Sequence, residues 1–413
     1  MAVLLVAATL PALGFIRGVN LGSLFVPEAW MVPQFYADSG ASSLCGFVRI
    51  NETMAAARMR QHFDTFVTEL DFEWLAQRGF NAVRVPIGFW NVVGRKHTAI
   101  PYVPVTAAES LAHLDKLFRW GKAHGISLLL DMHGAPGSQN GNDHSGCDSD
   151  GIGWHADGRD ATLETTLEAV DVLVRRYRQH TAFLGIELLN EPAWVVEWDH
   201  GALLEYYTRA LNLVRAQDSA ALVVFNVLYW SKVLRSTRLC AGGLITARAT
   251  ARGGPWASDR RQHACPKGVG CERACAAPQP CSACVRPMLT PPLSRARTQF
   301  PAGFSDWWAG QLVGSNVVLD LHLYDCYGLA STKTLPEHLQ QARKWREAIE
   351  RLQEQGHAVL IGEWSLATGI HVGGQAWADA QLEAFSAGIG WFFWSYKMGT
   401  LTEPAADEGG DTW

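Results

Sequence analysis

Short apolar runs recur eight times along the chain, and turn-forming or polar residues follow each of them. The runs are "FIRGVNLG" (15–22), "NAVRVPIG" (81–88), "ISLLLDMHG" (126–134), "LGIELLNEP" (184–192), "ALVVFNVLYW" (221–230), "NVVLDLHLY" (316–324), "AVLIGEWS" (358–365) and "GWFFWSYK" (390–397). Runs that are apolar almost throughout are typical of parallel strands covered on both faces, because half-exposed strands alternate polar and apolar positions. The pattern therefore predicts eight parallel strands.

Helical patterns with recognisable ends lie between these runs. In "TELDFEWLAQRG", Thr68 and Asp71 have the spacing of a capping box, and Gly79 ends the segment. In "PEHLQQARKWREAIERLQEQG", Pro336 lies in the first turn and Gly356 ends the segment. The alternation of strands and helices predicts an α/β fold, a single-domain (β/α)8 TIM barrel. A doubly wound open sheet is the alternative, but no glycine-rich dinucleotide loop follows the first run.

The ends of these runs carry polar and aromatic residues that do not suit a buried strand. Parallel barrel strands present their carboxyl ends at one rim, where active sites form. One such residue alone would be explained as a satisfied structural group, but together these residues predict a pocket at the rim. They belong to seven of the runs and are Glu28, Trp30, Arg84, His133, Asn190, Glu191, His322, Tyr324, Glu363 and Trp394.

Composition limits the class of protein but does not identify its activity. The 413 residues are 48% hydrophobic, which is enough for a large core in one barrel domain or two smaller domains. A net charge of −5 gives no indication of a nucleic-acid partner, and no protein partner is implied. The 17 Trp residues fit either stacking on sugars or core packing, and composition does not separate the two.

The amino-terminal segment 1–14 is apolar and ends in small residues like a secretory signal, although it lacks a basic region. Asn51 opens a glycosylation sequon, a short pattern that gives weak further support. We therefore expect the protein to be secreted or associated with the cell wall. No other stretch of the sequence is long and apolar enough to span a membrane.

Residues 240–298 form a Cys-, Pro- and Arg-rich stretch after the fifth run, with no hydrophobic periodicity. Five of the nine cysteines lie between Cys265 and Cys284, but their spacing gives no paired CxxC set, which argues against a zinc site. A disordered insertion, or translated non-coding sequence, explains this composition better than a zinc or disulfide knuckle. The prediction is one barrel domain over 15–413 that contains this insertion.

Two carboxylates on separate strands, surrounded by His, Tyr, Asn, Arg and Trp, form the set of groups that a retaining glycosidase needs. The stretches "RGVNLGSLFVPEAW", "HFDTFVTELDF", "DMHGAPGSQNG", "GIELLNEP", "LHLY", "GEWS" and "GWFFWSYK" resemble glycoside hydrolase family 5. Their similarity is greatest to the exo-β-1,3-glucanase branch of fungi and related eukaryotes. The resemblance extends from about residue 15 to the carboxyl terminus, except for the insertion.

The resemblance implies a role for each residue at the rim. Glu191 would be the catalytic acid/base and Glu363 the catalytic nucleophile. The remaining roles concern substrate binding. Asn190 would bind the sugar 2-hydroxyl, Trp394 would stack under the sugar ring, and Glu28 would bind the sugar hydroxyls. Tyr324 and Arg84 would support the nucleophile, and His133 and His322 would bind sugar or orient the acid. Glu187 would partner a basic group inside the barrel. No metal or organic cofactor is implied.

Two further departures from the family pattern stand in the sequence. Asn142 occupies a position where the family usually has an aromatic residue, and the chain ends at Trp413, so we expect a short or missing eighth helix. The expected function is that of a glucan exo-1,3-β-glucosidase acting on β-glucan. The alternatives are another family 5 β-glucosidase or endoglucanase (cellulase-like or glucosyl-lipid-cleaving) and, less favoured, a non-catalytic carbohydrate-binding barrel.

Overall fold

A computed structural model shows eight parallel strands that close into a barrel in sequence order. The structure describes residues 14–94, 104–146, 151–155, 160–192, 200–226, 316–368 and 374–399. The strands are β1 (Ile16–Asn20), β2 (Ala82–Gly88), β3 (Ser127–Gly134), β4 (Phe183–Glu187), β5 (Leu222–Asn226), β6 (Val317–Leu323), β7 (Ala358–Trp364) and β8 (Gly390–Phe393). All eight predicted strands are present, so the predicted barrel is confirmed.

The strand β4 ends earlier than its apolar run predicts, at Glu187 rather than at residue 192. The backbone beyond Glu187 leaves the sheet but remains attached to both neighbouring strands. Leu188 N donates to Val224 O (3.0 Å), and Asn190 N donates to Met132 O (3.0 Å). These bonds carry Asn190 and the residue after it over the carboxyl ends of β3 and β5.

The helices in the described ranges surround the barrel. They are α1 (Pro33–Tyr36), α2 (Leu44–Thr65), α3 (Glu69–Gln77), α4 (Trp90–Val93), α5 (Ala107–His124), α6 (Asp160–Tyr177), α7 (His200–Gln217), α8 (Leu335–Glu354) and α9 (Gly374–Phe385), with 3-10 turns at Asp143–Ser145 and Gly328–Thr332. The two predicted helices are α3 and α8. The capping box of α3 is formed, since Thr68 N donates to Asp71 Oδ2 (2.7 Å).

An apolar layer fills the barrel below a polar layer. Each strand contributes to the apolar layer, whose buried members are Ile16, Ala82, Leu129, Leu184, Leu222, Val224, Val318, Ala358, Leu360 and Phe392. Gly18 makes room for this layer, because a Cβ atom there would lie 2.2 Å from the Phe392 ring. Two residues further toward the carboxyl ends, the same strand faces carry Arg84, Asp131 and Asp320. The barrel thus changes from apolar to charged at the level of the rim.

Several sequence predictions lie outside the described residues. The chain divides by compactness into residues 1–232 together with 302–413, and a second unit, 233–301, which contains the predicted insertion. The signal-like segment, apart from Gly14, and the region expected to hold a short eighth helix are also outside the described ranges. These predictions stay predictions. Within the described ranges, no helix has the length and apolarity needed to cross a membrane.

Candidate active site

Arg84 on β2 lies at the centre of the polar layer and is fully buried. Burial lowers the pKa of its guanidinium group, but the nearby carboxylates outweigh burial and hold the pKa well above its ordinary value. The group therefore stays charged and fixes the side chains around it. Its hydrogen-bond and ion-pair partners are Asn20 (2.9 Å), Asp131 (3.0 Å), Glu187 (2.7 Å), Asn190 (2.8 Å) and Glu363 (2.9 Å). The contact with Glu187 agrees with the predicted interior partner.

Glu363 lies near the end of β7 and has a donor at each carboxyl oxygen. Arg84 Nη1 donates to Oε1 (2.9 Å), and the Tyr324 hydroxyl donates to Oε2 (2.9 Å). Burial, followed by the charge of Glu363, raises the pKa of Tyr324 well above its usual value, so the hydroxyl keeps its proton and donates. The two donors fix the orientation of the carboxylate.

Glu191 follows β4 in the left-handed backbone region, with φ of 41°. Its Oε1 lies 2.7 Å from His322 Nδ1. Burial lowers the pKa of His322, but the charges of Glu363 and Asp320 outweigh burial and raise it well above its usual value. Burial raises the pKa of Glu191, but the hydrogen bond and charge of His322 lower it to about 2. In this arrangement the proton lies on His322, 2.7 Å from the carboxyl group predicted to deliver it.

Asp320 on β6, which the motifs did not predict, contacts both the imidazole beside Glu191 and the backbone beside Glu363. Its Oδ2 lies 3.0 Å from His322 Nε2, and its Oδ1 accepts from Gly362 N (2.5 Å), the residue before Glu363. A Cβ atom at Gly362 would lie 2.2 Å from Asp320 Oδ2. The signal in the sequence was the acid inside the apolar run "VVLDLHL", which has no other reason to be buried.

His133, Trp394 and Asn190 provide surfaces for binding a ligand. His133 Nδ1 lies 2.7 Å from Asp131 Oδ2, and its ring stacks on Trp394 with centroids 5.8 Å apart. Burial and the charge of Arg84 lower the pKa of His133 well below its usual value, so the ring is neutral. Asn190 Nδ2 is buried and has no hydrogen-bond partner among the described residues. An unpaired buried donor at this place is ready for a ligand oxygen.

Glu28 lies in the loop after β1 and is almost fully buried. Burial raises its pKa to about 8, although the Trp30 indole N–H donates to Oε2 (2.8 Å) and lowers it. The charges of Glu363 and Glu191 also raise this pKa. Most of the nine predicted site residues lie at or just after the carboxyl ends of strands, with Arg84 inside β2 and Glu28 in the loop after β1; the full set is Glu28, Arg84, His133, Asn190, Glu191, His322, Tyr324, Glu363 and Trp394. Their predicted roles stay predictions.

The loop after β3 supplies contacts that the motifs did not predict. Gln139 Nε2 donates to the Asn190 carbonyl (2.9 Å), and Asn140 Nδ2 donates to the Glu191 carbonyl (3.1 Å). His144 Nε2 lies 3.3 Å from Glu191 Oε2. The dense amides of "GSQNGNDHSG" were a signal for such a role. The loop therefore contacts both the backbone carbonyl groups of Asn190 and Glu191 and the side chain of Glu191.

Two groups of side chains in the described ranges have the spacing of metal ligands. They are Glu187, Asp320 and His322, and Glu191, His322 and Glu363, each with ligand atoms within 4.8 Å of one another. In both groups the atoms are engaged in hydrogen bonds with one another or with the charged Arg84. The expectation that no metal or cofactor is needed stays a prediction.

Comparison with known proteins gives a family for part of the chain and a fold for nearly all of it. The cellulase model, glycosyl hydrolase family 5, matches residues 51–251. A probable glucan 1,3-beta-glucosidase A of Emericella nidulans is 36% identical over 216 residues, covering 51% of each chain. Glucan 1,3-beta-glucosidase of Blumeria graminis is 35% identical over 217 residues, covering 51% of this chain and 48% of that protein. The chain spans about half the length of the curated relatives it matches.

Solved structures support the architecture independently. The crystal structure of rutinosidase from Aspergillus niger superposes with a TM-score of 0.65 over 94% of this chain and 92% of that one, at 16% identity. At that identity the likeness shows the fold alone. The family match within this barrel confirms the resemblance predicted from the motifs: residues 51–251 are similar to the cellulase model of glycosyl hydrolase family 5.

Proposed function

We propose that the protein is a retaining glycoside hydrolase that cleaves β-glucosidic bonds, with Glu363 as nucleophile and Glu191 as acid/base. The observation that carries this proposal is the closeness of the two carboxyl groups. Oxygen atoms of Glu191 and Glu363 lie within 4.8 Å of each other, and both lie near His322 Nδ1, at 2.7 and 3.3 Å. Retaining enzymes place their carboxyl groups about 5–5.5 Å apart, whereas inverting enzymes leave roughly 6.5–9.5 Å for a water molecule.

In the first step, Glu363 attacks the anomeric carbon while Glu191 donates a proton to the leaving glycosidic oxygen. The carbon–oxygen bond to the leaving group breaks as the carbon–carboxylate bond forms. Arg84 and Tyr324 hold the attacking carboxylate, each at 2.9 Å. His322 lies 2.7 Å from Glu191 and is the source of the proton.

In the second step, Glu191 removes a proton from water, and the resulting oxygen attacks the anomeric carbon and releases Glu363. Two inversions at one carbon give net retention of the β-configuration. The free Nδ2 of Asn190 supplies a hydrogen bond to the sugar 2-hydroxyl, an interaction that strengthens in the transition state. Trp394, stacked on His133, supplies an aromatic face for the sugar ring.

We further propose a β-glucan as substrate, most specifically β-1,3-linked glucan cleaved from its non-reducing end. The support for this linkage is that the relatives in Emericella nidulans and Blumeria graminis carry the name glucan 1,3-beta-glucosidase. Another family 5 β-glucosidase or endoglucanase would show a different linkage preference. A non-catalytic carbohydrate-binding barrel would bind glucan without turnover.

We also propose that the protein works in an oxidising compartment, as a secreted or cell-wall-associated enzyme. Cys45 is disulfide-bonded. Disulfides persist in secreted proteins and are rare in the reducing cytosol. Localisation of the tagged full-length chain by fractionation of cells and medium tests this proposal.

Activity assays on purified protein test the function. We expect turnover of an aryl β-glucoside, release of the β-anomer first in early-time NMR, and faster hydrolysis of laminarin oligomers than of cellulose oligomers. Glu363→Gln should abolish covalent trapping by a fluorinated glycoside. Glu191→Gln should slow glycosides with poor leaving groups far more than those with good ones. Release of the α-anomer first would contradict the retaining mechanism.

A further inference from the structure

The long helix α2 (Leu44–Thr65) is interrupted at Asn51, on the surface of the protein. The backbone is extended at this residue, with φ of −154° and ψ of 88°, whereas the segments before and after it are helical. Asn51 Oδ1 accepts from Met54 N (3.0 Å), so its side chain caps the second part of the helix. Asn51 is therefore presented at a helix start and not inside a helix.

This cap leaves two side-chain groups of the segment free. Asn51 Nδ2 has no hydrogen-bond partner among the described residues, and neither has the hydroxyl of Thr53. Asn51, Glu52 and Thr53 are all exposed. An Asn-x-Thr triplet is the acceptor pattern for N-glycosylation, and its two defining side chains are here Asn51 and Thr53. Both lie open to solvent at an interrupted helix.

A capping role by itself explains the first position of the triplet but not the third. Asp, Ser or Thr at position 51 would also cap the helix, and a helix start gives no reason for Thr at position 53, since Thr has a lower helix propensity than Ala or Glu. Asn51 to Thr53 is the single Asn-x-Ser/Thr triplet in the sequence. Its place at an exposed break in a helix favours modification in addition to capping.

The surroundings of the triplet have room for a sugar. An open cavity of about 590 Å³ lies beside it, lined by Glu52, Thr53, Ala56, Arg60, Gly94 and Val105. The Arg60 guanidinium group donates to Glu109 Oε1 (2.7 Å) through Nε and has further N–H groups for sugar hydroxyls. Cys45, in the first part of the same helix, is disulfide-bonded, which suits the oxidising compartment where N-glycosylation takes place.

We propose that Asn51 is an N-glycosylation site. Nδ2 attacks the anomeric carbon of a lipid-diphosphate-linked oligosaccharide, so that the carbon–nitrogen bond forms as the carbon–oxygen bond to the diphosphate breaks. The diphosphate leaves with the electron pair, and Nδ2 releases one proton. Oδ1 keeps its lone pairs, so the bond from Met54 N is retained in the glycosylated protein. The proposal rests on the proposed secretion, and its test separates the two.

Translation of the full chain with endoplasmic-reticulum microsomes tests the site. One sample carries the chain as it stands, and a second carries it behind an added cleavable signal peptide, with protease protection to show entry into the lumen. We expect a slower-migrating form that peptide-N-glycosidase F removes, leaving Asp in place of Asn51 in the tryptic peptide 50–58. Protected chain without this shift would overturn the proposal. A shift that needs the added signal would support the site and contradict the proposed secretion.

Three variants give matched controls for the assignment. Thr53→Ala removes the acceptor pattern but leaves Asn51 and its cap, whereas Thr53→Ser keeps the pattern. Asn51→Asp keeps an oxygen that can cap Met54 N but loses the amide nitrogen. We expect the shift to be lost completely in Thr53→Ala and in Asn51→Asp and to remain in Thr53→Ser. A shift that persists in Asn51→Asp would show that another residue is modified.

Urea unfolding tests whether the cap and the sugar coexist on one side chain. Asn51→Ala, which loses the cap, should unfold at a lower urea concentration than unglycosylated wild type. The glycosylated protein should not, and a lower midpoint for it would contradict the geometry proposed for Oδ1. None of these measurements needs turnover, so a chain without glycosidase activity would refute the proposed function and leave the modification site standing.

Discussion

Burial sets the protonation state of some residues in the site, and a hydrogen-bonded or charged neighbour sets it for others. Glu28 and Tyr324 hold their protons because they are buried. Glu191 loses its proton to His322 in spite of burial, because the hydrogen bond at 2.7 Å and the neighbouring positive charge outweigh desolvation. The motif could name these residues, but it could not say on which of them the proton lies.

Glu28 should make stability depend on pH. Its pKa rises from 4.5 in the unfolded chain to about 8 in the folded one, so its contribution to stability is complete below pH 4.5 and is lost as pH rises through about 8. Glu28→Gln removes this ionisation and should gain stability over wild type between pH 5 and 8, by a few kcal/mol at most. Urea unfolding of both proteins at several pH values measures this difference in the free energy of unfolding. An equal trend in Glu347→Gln, an exposed control on α8, would contradict the prediction.

Gly362 should be irreplaceable because of the carboxylate packed against it. In Gly362→Ala the new Cβ would lie 2.2 Å from Asp320 Oδ2 and would displace a buried group that holds both Gly362 N and His322. We expect a loss of about 1–3 kcal/mol in the free energy of unfolding and at least roughly tenfold in kcat. Calorimetry and aryl glucoside assays measure these. Gly374→Ala, with no atom within 4 Å of the new Cβ, should change neither.

At the scale of elements, helix starts follow local rules that sequence makes visible. α5 is capped by Thr106, whose N–H donates to Glu109 Oε2 (2.8 Å) while its Oγ1 accepts from Glu109 N (3.2 Å). The loop after β3 follows no such rule. Gln139 and Asn140 of this loop contact residues 190–191, about fifty positions further along the chain. The closed barrel brings the loop and these residues together.

Removal of the α5 cap should therefore have a local and predictable effect. Thr106→Ala leaves the first-turn N–H of Glu109 without its acceptor and should lower the free energy of unfolding by about 1 kcal/mol. Thr65→Ala is the control, since the Thr65 hydroxyl bonds to Gln61 O within α2 and caps no helix start. Denaturant titration of both variants decides the matter; equal losses would mean that the capping box contributes nothing specific.

At the scale of the whole molecule, the barrel closes across the Cys-rich stretch. β5 and β6 pair directly, with Val223 opposite Val317 and Asn226 opposite Asp320, although about ninety residues separate them in sequence. The ladder between β5 and β6 is formed by residues of these two strands.

Deletion of 240–298, with a short Gly/Ser linker between the ends, should leave activity on an aryl glucoside intact or raise it. Loop-closure entropy depends weakly on loop length, so cooperative folding should survive. Thermal unfolding and metal analysis of both forms complete the test. A deletion variant that folds but loses a bound metal together with its activity would show that the cysteines have a role in the site.

The eight strands and the barrel could be predicted from the amino-acid pattern, which also named nine candidate site residues. This was possible because apolar runs and the polar residues at their ends are patterns along one chain. The interactions of these groups with one another become visible only in the folded barrel. Asp320 contacts both His322 and Gly362 N, Asn140 contacts His144, and the acid proton lies on His322; each depends on distances of 2.5–3.0 Å that are set in the folded barrel. Spacing in sequence carries no measure of such distances.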